Sequence, residues 1–191
     1  MRKGLLYGIG INDSDYLTRK KINDKYWTCP FYSRWANILQ RGYSSKYKAK
    51  FPTYKDVTVC EEWLTFSKFK AWMEQQDWEG KVLDKDLLVR GNKVYGPDTC
   101  IFIDEKINLF LCEQSNAKRD YPNGVSLCKG KIRAKGKGPN GEYLFLGNFD
   151  TVEEAKEAWR LSKLNTAKIL AATQTDERVI KALLERYKKE E

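Results

Sequence analysis

Lys129, Lys131, Arg133, Lys135 and Lys137 alternate with Gly130, Ile132, Ala134 and Gly136. Side chains of an extended strand point to opposite faces in turn, so this spacing sets all five cations on one side. The small and apolar residues then face the other way. Like charges on one strand face repel, which is costly unless water or an anion opposes them. The alternating glycines also let a ligand approach the backbone closely. The spacing predicts contact with phosphates and bases; a solvated hairpin arm is the plainer alternative. A second constellation lies upstream, where Asp84 and Asp86 flank Lys85 and Asn92 follows. Residues i and i+2 of a strand share a face, so the two carboxylates are spaced to meet one divalent cation. The plainer alternative there is a charged strand end.

The bulk composition agrees with an anionic partner. The 191 residues carry a formal net charge of +9, and the chain is 41% hydrophobic and 13% aromatic. That is enough apolar material for a core and enough positive charge to favour nucleic acid. The chain contains no histidine. This removes the Ser-His-Asp triad, the Cys-His dyad, histidine metal sites and the commonest general base. Its five cysteines, Cys29, Cys60, Cys100, Cys112 and Cys128, are widely spaced and odd in number. They read as small apolar groups rather than as a disulfide framework or a zinc site built on Cys29 and Cys60. No apolar run approaches the ~20 residues that cross a bilayer. The opening MRKGLLYGIGIND has too short an apolar stretch for a secretory signal, so a cytoplasmic location is expected.

Several elements are legible along the chain. Residues 1–27 read as an irregular arm whose basic cluster is Arg19, Lys20 and Lys21. Thr28 as N-cap and Pro30 in the first turn open a helix with an apolar stripe at Phe31, Trp35, Ile38 and Leu39, stopped by Gly42. The segment YSSKYKAKFPTYK reads as a basic loop with Lys46, Lys48 and Lys50 in alternation. A second helix spans about Glu61 to Gln76, its aromatics Trp63, Phe66, Phe69 and Trp72 assigned to the core. Lys81 to Asp104 reads as a hairpin-like unit: a strand from Val82 to Asp86, a loop at Gly91-Asn92, a turn at Gly96-Pro97 and an apolar run from Cys100 to Ile103. Asp104 can cap a short helix bearing Ile107, Phe110 and Leu111. A polar linker at 114–120 divides a first module, 1–113, from a second, 121–173, and a C-terminal helix occupies 174–191. In the second module, Gly138 to Gly141 signals a turn, and Tyr143 to Leu146 is the partner strand. Asp150 or Thr151 caps a helix with a stripe at Val152, Ala155, Trp159, Ser162, Thr166 and Ile169. The C-terminal helix packs within the chain or meets a partner.

The central unit resembles the core of HNH-type, or ββα-metal, endonucleases. Asp84-Lys85 stands where that family has Asp-His, Asn92 at its loop Asn, and Pro97-Asp98-Thr99-Cys100 at its helix-start tetrad, with Thr99 in place of a metal ligand. The longer pattern CPFYSRW, TVCEEWLTF, LDKDLLVRGNKVYGPDTC is similar to tailed-bacteriophage proteins described as HNH endonucleases or DNA-binding proteins. The stretch from Asn123 to Trp159 resembles the APETALA/ethylene-response-factor DNA-binding domain, which phages attach to HNH homing endonucleases. The matching features are Gly124-Val125, Lys131 to Lys135, Leu146 to Phe149 and Thr151 to Trp159. Ile132 stands where that family commonly has Trp.

These resemblances imply an α+β chain: a helical N-terminal region, a degenerate ββα-metal core, then a three-stranded antiparallel sheet backed by a helix. They imply double-stranded DNA as partner, contacted by Lys129, Lys131, Arg133, Lys135, Lys137 and Tyr143. They also imply candidate catalytic positions at Asp84, Lys85 and Asn92. A lysine is a poor general base at neutral pH. The alternative function, a metal-dependent DNA endonuclease, would hold Mg²⁺ or Mn²⁺ at Asp84 and Asp86, with Lys85 stabilising charge. A second alternative is a protein-interaction module acting on a host or phage factor. A phage-encoded chain would work in the host cytoplasm.

Overall fold

The computed structural model describes residues 5–112 and 120–189. The chain is mixed α+β and divides into two compact units, Met1–Phe102 and Ile103–Glu191. The division falls ahead of the short helix at 105–111, which therefore belongs with the C-terminal unit. Residues 114–119 of the expected linker lie outside the described residues.

The first unit begins differently from the irregular arm expected of residues 1–27. Arg19–Ile22 (β1) and Lys25–Thr28 (β2) form an antiparallel hairpin pairing Lys20 with Trp27 and Lys21 with Tyr26. Its two-residue turn holds Asn23 and Asp24 at φ +47° and +60°, a conformation that Asn and Asp tolerate. Pro30–Tyr43 forms α1, with Cys29 rather than Thr28 as the N-cap residue. Trp35, Ile38 and Leu39 are buried as their spacing requires. Gly42 does not stop the helix. It lies within the last turn, where an added Cβ would come within 3.3 Å of Val59 Cγ2, so it serves close packing.

Ser45–Lys50 is a short helix, α2, capped by the Ser44 side chain. Lys46, Lys48 and Lys50 therefore do not line one extended face. Lys48 Nζ instead donates to the carbonyls of Lys55 and Val57 at 3.0 Å. The helix expected over Glu61 to Gln76 is broken into a 3-10 turn at Glu61–Leu64 and Phe66–Met73 (α3). The break has a cause. Thr65 is extended and bridges to Ile11, and Asp13 accepts from Ser67 N at 2.9 Å. Trp63, Phe66, Phe69 and Met73 are buried together with Trp35, and Trp35 Nε1 donates to Trp63 O at 2.7 Å.

The central stretch is not a simple hairpin. Val82–Asp84 (β4) pairs with Ile101–Ile103 (β6), whereas Val94–Tyr95 (β5) pairs in parallel with Thr58–Val59 (β3). The pleated sequence alternation was too short to reveal that second partner.

In the second unit, Glu105–Leu111 forms α4 and Val125–Cys128 (β7), Lys131–Lys137 (β8) and Tyr143–Phe149 (β9) form a three-stranded antiparallel sheet in that order. Val152–Ala171 (α5) backs it, opened by a full capping box between Thr151 and Glu154. The stripe on α5 differs in detail from expectation: Ile169 is exposed, and Lys163 is buried. Lys163 Nζ donates to Phe110 O at 2.6 Å and lies 3.8 Å from the Phe110 ring centre and 4.9 Å from that of Tyr187. A backbone carbonyl and aromatic faces thus receive the buried cation. Glu177–Glu185 (α6) packs on α5 and buries Val179 and Leu183, so this face of the C-terminal helix is used within the chain. Among the described residues no helix is long and apolar enough to cross a membrane.

Candidate nucleic-acid interface

The β7–β8–β9 sheet has two unlike faces. Ala134 is fully buried beneath α5, and a Cβ on Gly136 would meet Ser162 Oγ at 2.5 Å. Those small residues let the helix approach the sheet. The opposite residues of β8, Lys131, Arg133, Lys135 and Lys137, stand on the outer face. Lys129 does not join them. Lys129 and Gly130 are the two residues of the β7–β8 turn, at φ +51° and +76°, with Cys128 and Lys131 paired on either side. A two-residue hairpin needs both turn residues in the left-handed region, so the alternation of the strand begins only at Lys131.

β9 completes the outer face. Lys137 pairs with Tyr143, Lys135 with Phe145 and Arg133 with Asn148. Tyr143 is 80% exposed and Phe145 64% exposed. The Arg133 guanidinium carbon lies 5.6 Å from the Phe145 ring centre, and Lys137 Nζ lies 5.9 Å from that of Tyr143. Arg133 Nε also donates to Asn148 Oδ1 at 3.4 Å. A register shift opposite Ala134 and Lys135 lengthens β9 by one residue, with Gly147 at φ +130°. This bulge brings Phe145 and Asn148, three apart in sequence, to the same face. Among the described residues no carboxylate forms an ion pair with the four β8 cations. The result is a face of cations interleaved with rings. Sequence reasoning named Tyr143 but missed Phe145 and Asn148. The alternation of β9 could have found Phe145, but the bulge hides Asn148.

The structure brings Asp84, Lys85 and Asn92 together, though in a different arrangement from the one their types suggest. β4 ends at Asp84, so Asp84 and Asp86 do not share a strand face. Asp84 Oδ1 accepts from the backbone N–H of Asp86 at 2.8 Å and of Leu87 at 2.6 Å. Lys85 is buried, its Nζ donating to Asp86 Oδ2 and to Asn92 O, each at 2.7 Å. Asn92 Nδ2 returns a bond to Lys85 O at 2.9 Å and another to Val94 O at 2.6 Å. Together these bonds close the loop between β4 and β5. As a donor set for Mg²⁺ or Mn²⁺ they fit poorly. One carboxylate caps backbone N–H groups and the other faces an ammonium. Among the described residues no group of three acidic or cysteine side chains could hold a metal. The cysteines are all free, with Cys29 and Cys100 buried, Cys60 and Cys128 half-buried and Cys112 exposed.

The Asp84 clip has a stability signature. Burial raises the Asp84 carboxyl above its ordinary range, against the lowering effect of its two backbone bonds. A raised native value means that the acid form favours folding. That contribution is complete below the ordinary carboxyl range and is lost as pH rises through the native value. Asp84→Asn keeps an oxygen for the two N–H groups without the buried charge. It should match or exceed the parent in urea unfolding at neutral pH, by a margin that shrinks towards acid. Asp84→Ala leaves the two N–H groups without their acceptor and should cost about 1–3 kcal/mol at neutral pH. Equal losses in both variants would show that the clip acts differently.

Comparison with protein-family models, curated proteins and solved structures finds no match to this chain.

Proposed function

We propose that the chain binds double-stranded DNA through the outer face of the β7–β8–β9 sheet. The observation that carries this reading is a strand of four cations, flanked by two exposed rings, on a sheet whose other face is covered by α5. Phosphate contacts from Lys131, Lys135 and Lys137 would supply affinity and register. Arg133, held by Asn148 and Phe145, would meet a base edge, where a guanidinium suits guanine. Phe145 offers an apolar surface to a thymine methyl group. Lys129, in the β7–β8 turn, would meet a phosphate at the edge of such a contact.

The assay is fluorescence anisotropy of a labelled mixed-sequence duplex, titrated with the full chain in EDTA across a salt series. Lys131→Ala and Lys135→Ala should each weaken binding on all sequences and lower the salt slope by about one. Parent-like binding by both variants would remove the sheet from the interface. The endonuclease alternative, with Asp84, Lys85 and Asn92 as catalytic groups, has no observation in its favour beyond their proximity. Its separate signature is nicking of supercoiled plasmid in Mg²⁺ or Mn²⁺ that Asp84→Asn abolishes.

A further inference from the structure

The β1–β2 hairpin is unusual in having no covered face. Every residue of β1 is exposed, as are Lys25, Tyr26 and Trp27 of β2. Tyr26 is 66% and Trp27 41% exposed. Two-stranded hairpins with nothing to pack on are marginal in water, so exposed rings on such a ribbon call for another explanation. Cross-strand cation–ring contacts supply part of it. Lys20 Nζ lies 5.1 Å from the Trp27 ring centre, and the Arg19 guanidinium carbon 4.7 Å from that of Tyr26. Lys21 pairs with the exposed Asp24 at 2.7 Å. These contacts stiffen the ribbon but leave most of its charge uncompensated: Arg19, Lys20, Lys21 and Lys25 stand against the single carboxylate of Asp24 within the hairpin.

The distribution of those cations identifies what the ribbon fits. Strand alternation and the observed register place Arg19, Lys21 and Tyr26 on one face, and Lys20, Lys25 and Trp27 on the other. A flat anionic surface, whether a lipid headgroup layer or an acidic protein, meets only one face of a ribbon. A groove walled on both sides by phosphates meets both. The major groove of B-form DNA admits a two-stranded ribbon. We propose that the β1–β2 hairpin is a second nucleic-acid contact: a ribbon that enters a duplex groove, Arg19 and Lys21 facing one phosphate wall and Lys20 and Lys25 the other. Tyr26 and Trp27 then bury their rings against sugars and base edges. The proposal uses residues of the first unit and does not rest on the sheet.

The test compares three variants of the full chain on a labelled mixed-sequence duplex across salt: Arg19→Gln with Lys21→Gln, Lys20→Gln with Lys25→Gln, and Lys135→Gln with Lys137→Gln. Glutamine keeps side-chain length, and far-ultraviolet circular dichroism checks folding. Each hairpin pair should lower the salt slope by about two, because each removes two phosphate contacts. Trp27→Ala should weaken binding with the slope unchanged. A loss confined to one hairpin pair would overturn the groove geometry. Parent-like slopes for both pairs would overturn the contact itself, whatever the sheet variant does. Loss in the hairpin pairs beside a parent-like Lys135→Gln, Lys137→Gln variant would support the hairpin and count against the sheet. Anionic phosphatidylserine vesicles serve as the flat competitor. Hairpin-dependent capture by vesicles with duplex binding unchanged would overturn the proposal in favour of a membrane surface.

Discussion

Replacing Lys131, Arg133, Lys135 and Lys137 together with glutamine is expected to lower duplex affinity about a thousandfold at physiological salt. The estimate follows from counterion release. Each neutralised phosphate contributes close to one unit of salt slope, or about 1 kcal/mol near ~0.15 M salt, so the three lysines contribute about 3 kcal/mol and the Arg133 base contact about 1 kcal/mol more. The loss should shrink as salt rises, because the variant and the parent converge when the ion atmosphere is already dense. Folding should survive. The four side chains stand on the outer face, while the residues that hold the sheet to α5, among them Ala134 and Gly136, are untouched. Removing four like charges from one strand face also relieves repulsion, so thermal stability should hold or rise. An affinity loss that is the same at all salt concentrations would mean that the variant had damaged the fold or that phosphates are not the ligand.

The second large effect is on stability. Gly124→Ala should destabilise the C-terminal unit by about 3 kcal/mol or more, combining left-handed backbone strain with overpacking. Gly124 sits at φ +76°, and its missing Cβ points into the Trp159 indole and lies 2.7 Å from Lys135 O. Gly124 O in turn accepts from Lys135 N at 2.7 Å, so the residue ties the start of β7 to the middle of the basic strand. For a unit of this size the loss corresponds to a fall in Tm of roughly 12 °C or more. Circular dichroism melting checks it, and the sheet's share of duplex binding should be lost at temperatures where the parent keeps it. A Tm within a few degrees of the parent would show that Trp159 moves aside at little cost.

The parts of this fold that were legible in the sequence are those whose pattern is long and local. The α1 stripe at Phe31, Trp35, Ile38 and Leu39 repeats over about two turns and has one amphipathic reading. Lys131 to Lys137 alternates for seven residues, and the Thr151–Glu154 capping box announces α5. What escaped has a physical reason in each case. The β1–β2 hairpin shows no apolar alternation because neither of its faces is buried, and periodicity records burial. The parallel pairing of Val94–Tyr95 with Thr58–Val59 joins segments far apart in the chain, which no local window contains. Lys163 sits in the apolar face of α5, where the Phe110 carbonyl and the Phe110 and Tyr187 rings receive its ammonium. At Asp84 and Asp86 the strand alternation placed both carboxylates on one face, but the strand ends at Asp84. The chain turns after Asp84, so backbone N–H groups claim the carboxylate.

Two buried lysines have a further consequence. Lys85 and Lys163 are the amines most completely withdrawn from solvent among the described residues, and each lies in a different unit. Reagents that acylate amines reach the surface lysines of the native chain directly, but reach these two only when the surrounding structure opens. The molecule therefore carries a built-in clock in each half: the rate at which Lys85 is labelled times the breathing of the first unit, and the rate at Lys163 times that of the second.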